Sequence, residues 1–317
     1  MWLLSGRCES RARLDGKVAI ITGANCGIGK FTALDFVRRG ARVIIACRDL
    51  KKAEQAAADI RNETRNVEGA GHVVVVTLDL ASLASVRQCC QNLLRSETYI
   101  HILVNNAGVC YSPRAFTEDG FEIHMGVNHL GHFLFTCLLL PRIIHSAPAR
   151  IVTVASVKNH FARRICFDDL HWEKRRYSSF AAYSESKLAN VLFSAELARR
   201  LEGTGVTTYS LHPGIVVSEG ARHANKTWFP GAKWLFENVL VYVLKTCEQG
   251  AQTTIHCAVS EEAGRETGLY YSDCRKSTCN SKVNDRELLR RLWSESAGLV
   301  GLHEWDPFTA EDSATRL

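Results

Sequence analysis

The feature that most constrains this chain is an apolar strand that runs directly into a glycine loop and then a helix. Val18-Ala19-Ile20-Ile21-Thr22 is followed without a break by Gly23-Ala24-Asn25-Cys26-Gly27-Ile28-Gly29-Lys30. Glycines at 23, 27 and 29 let the backbone turn tightly and approach a pyrophosphate, and the helix that follows aims its N-terminus at the anion. The spacing is G-x-x-x-G-x-G and departs from the general G-x-G-x-x-G fingerprint. The nucleotide reading therefore rests on where the loop stands, between a first strand and a first helix. Gly23, Asn25, Cys26, Gly27, Ile28 and Gly29 become candidate cofactor contacts.

The rest of the chain repeats the alternation. Apolar runs at Arg42–Ala46, His72–Leu78, Ile100–Val104, Ile151–Ala155, Thr207–Leu211 and Leu269–Tyr271 are separated by helical patterns. Such runs, bounded by turn residues, are what a parallel sheet covered on both faces requires. The fold class is α/β: a Rossmann-like, doubly wound parallel sheet of about seven strands in a single domain. A length of 317 residues with 46% hydrophobic content suffices for one such core. The divisions are an N-terminal extension at 1–13, the domain at 14–303 with an insertion at about 215–246, and a polar tail at 304–317.

Composition removes several classes of function. The net charge of +6 comes from basic residues scattered among nearly as many acidic ones, so no stripe points to nucleic acid. Twelve cysteines show no C-x-x-C pair, which reads as free thiols in place of a zinc site or disulfide framework. Three apolar residues after Met1 are too few for a signal core, and no stretch of about 18 apolar residues free of charge follows, so no transmembrane segment is expected.

The second strand ends at Ala46-Cys47-Arg48-Asp49. An acid at that tip binds the ribose hydroxyls of NAD, whereas an arginine pairs with the 2′-phosphate of NADP. Asp49 also suits the N-cap of the helix that follows, and Arg48 lies nearer the strand end. Lys30 adds positive charge. NADP(H) is favoured over NAD(H).

Thr22-Gly23-x-x-x-Gly27-x-Gly29, Asn105-Asn106-Ala107-Gly108, Ser156 and Tyr183-x-x-x-Lys187 stand in an order and spacing that resemble the short-chain dehydrogenase/reductase family, over roughly residues 14–300. Finer runs, Cys47-Arg48-Asp49, Asn128-His129-Leu130-Gly131-His132 and His212-Pro213-Gly214, resemble its retinol dehydrogenase-like branch, which also holds relatives such as dehydrogenase/reductase member 13. The chemistry explains the residue types. Carbonyl reduction delivers hydride to carbon and a proton to oxygen. A free tyrosine has a pKa near 10; Lys187, one helical turn on, is expected to lower it so that Tyr183 serves as general acid or base. Ser156 would bond the substrate oxygen.

The resemblance implies more. Asn128 would position a water that links Lys187 to solvent, and Tyr183 and Lys187 would also touch the cofactor. Asp79 and Leu80 would meet the adenine, Asn106, Ala107 and Gly108 the adenosine half, and Pro213, Gly214 and Ile215 the nicotinamide. It implies reduction of retinaldehyde or other small lipophilic carbonyls, or oxidation of the corresponding alcohols. Endoplasmic-reticulum membranes (cytoplasmic side) or the cytosol would be its setting, and homodimers through helices bearing Phe133 and Tyr183 its assembly. The apolar run Trp228 to Leu244, with Trp234 and Phe236, reads as a pocket roof, a core helix or a shallow membrane contact. His129 and His132 lack a third ligand and read as packing residues. Two other functions fit the pattern: an NAD-linked hydroxysteroid-type dehydrogenase, and a catalytically silent NADP-binding regulator.

Overall fold

A computed structural model describes residues 5–216 and 245–302. The expected pocket roof, Trp228 to Leu244, and the polar tail lie outside the described residues.

Eight strands form one sheet in the order β3-β2-β1-β4-β5-β6-β7-β8. They are β1 (Val18–Thr22), β2 (Arg42–Cys47), β3 (His72–Thr77), β4 (Ile102–Asn105), β5 (Ala149–Val154), β6 (Val206–His212), β7 (Leu269–Ser272) and β8 (Arg275–Lys276). Neighbours pair in parallel through β7, and β8 alone is antiparallel. The sequence reading of about seven strands misses β8 because two exposed cations after a tight turn carry no apolar signal. The helices are α1 (Gly27–Arg38), α2 (Leu50–Thr64), α3 (Leu83–Ser96), α4 (Ile123–His145), α5 (Ser179–Arg200), α6 (Cys247–Val259) and α7 (Arg286–Leu299).

Strand residues alternate between two cores, as the pleat demands. Ile20, Ile44, Leu103 and Ile151 face α3, α4, α5 and α7. Ile21, Ile45, Val104 and Val152 face α1, α2 and α6. Helix α4 is long and apolar enough to cross a membrane, yet 83% of its most apolar window is buried in the fold. It is the core helix of one layer. Phe133 on α4 packs against Phe193 of α5 and Trp293 of α7, with ring centres 5.4 and 5.0 Å apart. That face, proposed from resemblance as a dimer contact, is covered by the chain's own α7.

The N-terminal extension is held to the domain. Gly6 N donates to Asp273 Oδ1 at 3.2 Å and Cys8 N to Gln252 Oε1 at 3.0 Å. The strand order reverses between β1 and β4, which places a crevice at the carboxyl ends of the strands, where open α/β sheets take ligands.

Candidate active site

The glycine loop opens that crevice. Gly23 has a left-handed φ of +65°, and a Cβ there would lie 2.8 Å from Ala107 Cβ, so only glycine lets β1 and the β4 loop close on each other. Helix α1 begins at Gly27, three residues earlier than its apolar pattern shows, and leaves its first backbone N–H groups facing the cleft.

The cleft, about 350 Å³ in volume, gathers most of the residues nominated as cofactor contacts: Gly23, Asn25, Cys26, Gly27, Ile28 and Gly29 on one wall, and Arg48, Asp79, Leu80, Asn106, Ala107 and Gly108 around the rest. Pro213, Gly214, Ile215, Tyr183 and Lys187 are not in its lining; the backbone of Ile215 bonds Lys245 instead. At the β2 tip Asp49 caps α2, its Oδ1 accepting from Lys52 N at 3.1 Å. Arg48 is 75% exposed and 3.9 Å from the Asp79 carboxylate. Lys52, which sequence reasoning passed over, lines the same end of the cleft. It lies in the first turn of the helix that Asp49 caps, a place where a lysine carries no signal of its own. Lys30 does not add charge there: its ammonium pairs with Asp59 at 2.6 Å.

The second half of the site is built at the end of β5. Ser156 follows that strand and caps a short 3₁₀ turn, its Oγ accepting from Lys158 N at 3.3 Å. Tyr183 lies in the first turns of α5, with Ser156 and the Cys110 thiol close enough to its hydroxyl to influence it. Lys187, one turn on, is 3% exposed and donates to the Val154 carbonyl at 2.9 Å. Its ammonium stands 5.7 Å from the centre of the Tyr183 ring.

The electrostatics correct one expectation. Lys187 was expected to pull the phenol below 10, but burial, with Cys110 beside it, holds Tyr183 well above 10, and Ser156 only partly opposes this. Burial also brings the Lys187 amine down to about 8. The phenol is therefore protonated at neutral pH.

Asn128 sits in a π-helical turn, Gly126–Gly131, within α4, which a continuous apolar pattern does not reveal. Its Oδ1 accepts from Val109 N at 2.7 Å, and its Nδ2 donates to Val109 O and Ser186 Oγ, both at 3.0 Å. The side chain is thus spent on holding the loop after Gly108 and the start of α5. A Cβ on Gly108 would press on Asn128 Oδ1 at 3.2 Å and make ordinary contact with Lys187 Nζ at 3.5 Å. Burial pushes Cys110, also missed from sequence, up to about 11. All twelve cysteines are free thiols. His129 Nε2 meets Ser296 Oγ at 2.8 Å, and His132 bridges Thr22 and Asn128.

Beside Tyr183 stands an aromatic wall. Tyr111 lies 5.2 Å from it and stacks on Phe180 at 6.3 Å, and Phe180 meets Phe161 edge-on at 5.7 Å. Phe161 and Phe180 are 58% and 41% exposed.

The chain is similar to known proteins over most of its length. The short chain dehydrogenase profile matches residues 17–167. Human retinol dehydrogenase 12 is 48% identical over 301 residues, covering 95% of this chain and 91% of that protein. Human retinol dehydrogenase 13 is 46% identical, covering 95% and 89%. Among solved structures, an uncharacterised protein from Mycobacterium paratuberculosis is 33% identical with a TM-score of 0.73, over 94% of this chain and 98% of its own. The NADP complex of RhlG from Pseudomonas aeruginosa is 28% identical with a TM-score of 0.63, over 81% and 94%. A crevice at the β1/β4 reversal, a tyrosine and lysine one turn apart beside a serine, and this likeness over nearly the whole chain place the protein in the short-chain dehydrogenase family, as an oxidoreductase acting on CH–OH groups.

Proposed function

We propose that the protein is an NADP(H)-dependent reductase of small lipophilic aldehydes and ketones of the retinaldehyde type, with Tyr183 as proton donor. The observation that carries this is the placing of Tyr183 beside Ser156 and the buried Lys187 amine, next to the cleft at the glycine loop.

The residues present fit a nicotinamide dinucleotide. The α1 N-terminus and glycine loop suit its pyrophosphate. Arg48 and Lys52 present two cations to a 2′-phosphate, while Asp49 is engaged as a helix cap and is poorly placed to take ribose hydroxyls. Bound there, the nicotinamide supplies the hydride. Tyr183, protonated because burial favours its neutral form, gives its proton to the substrate oxygen, and Ser156 donates a hydrogen bond to the same atom as charge develops. Lys187, with an amine near 8, carries an exchangeable proton close to the phenol. Asn128 keeps the Gly108 loop and α5 in register. A protonated phenol suits reduction, since oxidation would first require it to ionise.

Tyr111, Phe180 and Phe161 offer flat apolar surface from the phenol outward, which suits an extended apolar substrate. The retinol dehydrogenase relatives point the same way. A substrate screen following NADPH absorbance, all-trans-retinaldehyde included, tests the reading. Arg48→Ala should lower kcat/KM with NADPH by about 10- to 100-fold, the worth of one charged hydrogen-bonding partner, and leave NADH turnover nearly unchanged. Wild-type preference for NADH that survives Arg48→Ala would overturn the cofactor assignment.

A further inference from the structure

We propose that His132 is a positioning residue that ties the cofactor loop to the turn carrying Asn128; the proposal rests on the function given above. His132 is 2% exposed. Its Nδ1 lies 3.0 Å from the Asn128 carbonyl oxygen and its Nε2 2.8 Å from Thr22 Oγ1.

The chemistry fixes every proton in this chain of contacts. A carbonyl can only accept, so Nδ1 carries the hydrogen and donates to Asn128. Burial brings the ring's pKa down to about 4, so it is neutral and Nε2 is an acceptor. The Thr22 hydroxyl must then donate to Nε2. Its lone pairs are left to accept from Asn106 N at 2.9 Å and Ala107 N at 3.0 Å. One direction of donation thus runs from the backbone of the Asn106–Gly108 loop, through Thr22 and His132, into the carbonyl of Asn128.

At the end of the π turn the His132 backbone N–H bonds His129 O, while the His132 ring bonds the Asn128 carbonyl. The side chain of Asn128 in turn grips Val109 N and O and Ser186 Oγ, and Ser186 Oγ donates to Tyr183 O at 2.7 Å. His132 is the link at which the dinucleotide wall and the Tyr183 helix are held to each other, without touching either ligand. A packing histidine would need only one of these bonds.

Three variants separate the two arms. Thr22→Val removes the hydroxyl at nearly constant shape. His132→Asn keeps a short donor for the Asn128 carbonyl and gives up the reach to Thr22. His132→Gln keeps an acceptor at the longer reach and gives up the short donor. NADPH Kd is read from nucleotide fluorescence, kcat and KM from NADPH absorbance with a carbonyl that the wild type reduces, and folding from thermal melts. Thr22→Val and His132→Asn should each raise the NADPH Kd about tenfold, several times more than they lower kcat. His132→Gln should lower kcat about tenfold with a smaller change in Kd. The Thr22→Val/His132→Asn double variant should be no weaker in NADPH binding than Thr22→Val alone, because both substitutions break the same bond.

Parallel losses of Kd and kcat in all three, or additive losses in the double variant, overturn the proposal, as does an unchanged Kd in Thr22→Val. If the His132 variants do not fold, the wild-type His132 ring decides by NMR: a neutral ring protonated on Nδ1 is expected, and a proton on Nε2 overturns the proposal. A wild type that binds no NADPH refutes the proposed function itself; a wild type that binds and turns over while the variants fail to split refutes only the role of His132.

Discussion

Lys187 should cost the fold stability, and the cost should depend on pH in a way no packing defect imitates. The amine is buried, and its pKa falls from the usual 10.5 to about 8. At about 1.4 kcal/mol per pH unit, this is a penalty of about 3 kcal/mol for holding the ammonium form in the folded state. The folded state has the lower pKa, so between about 8 and 10.5 the unfolded chain binds the proton more tightly and stability rises with pH. Below 8 both states are protonated and the penalty is constant. Lys187→Met removes the penalty but strips the Val154 carbonyl of its donor, at about 1–3 kcal/mol that does not vary with pH. The stability of the wild type relative to this variant should therefore rise by about 2.5 kcal/mol from pH 7 to pH 10. Urea melts of both proteins at the two pH values, without nucleotide, measure it. Equal differences at pH 7 and pH 10 would refute the burial of a low-pKa amine beside Tyr183, and with it the exchangeable proton assigned to Lys187.

Other outcomes follow from the same geometry. Asp49→Ala should lose the cap on α2 and about 1 kcal/mol of stability, seen in a melt, with the NADPH-to-NADH preference unmoved. Gly108→Ala should reduce kcat several-fold with the melt little changed, because the new methyl presses on Asn128 Oδ1 at 3.2 Å and shifts the side chain that holds the loop after Gly108. Trp293→Ala should destabilise by about 3–5 kcal/mol, since the indole fills the gap between Phe133 and Phe193. Acidification from pH 7 to 5 should destabilise the fold: burial holds His129 at about 3 and His132 at about 4, so below about 6.5 the unfolded chain gains protons the folded one refuses.

The sheet was legible in the sequence because its central parallel strands are buried on both faces and so spell near-continuous apolar runs. Asp49 was legible too, as an N-cap residue directly before a helical pattern. What escaped has a physical reason in each case. β8 is two exposed cations that pair with β7 through the backbone, with Lys276 also ion-paired to Glu266. The π turn at Gly126–Gly131 shifts the helix phase inside a segment apolar on most sides, so periodicity does not register it. Of the candidate site, the residues were legible but their energetics were not. A motif shows that a lysine stands one turn from a tyrosine; it does not show that burial outweighs the attraction between them. Cys110 and Lys52 were missed because a thiol after a loop and a lysine in a first turn are ordinary residues until the fold brings them to the crevice.

The central claim is that one buried, protonated phenol hands its proton to a carbonyl oxygen held by Ser156. Single-turnover mixing of Tyr183→Phe with NADPH and a carbonyl that the wild type reduces tests it most directly. The account predicts NADPH binding within a few-fold of the wild type and a hydride-transfer rate lower by about two to four orders of magnitude. Hydride transfer at the wild-type rate in Tyr183→Phe would contradict it.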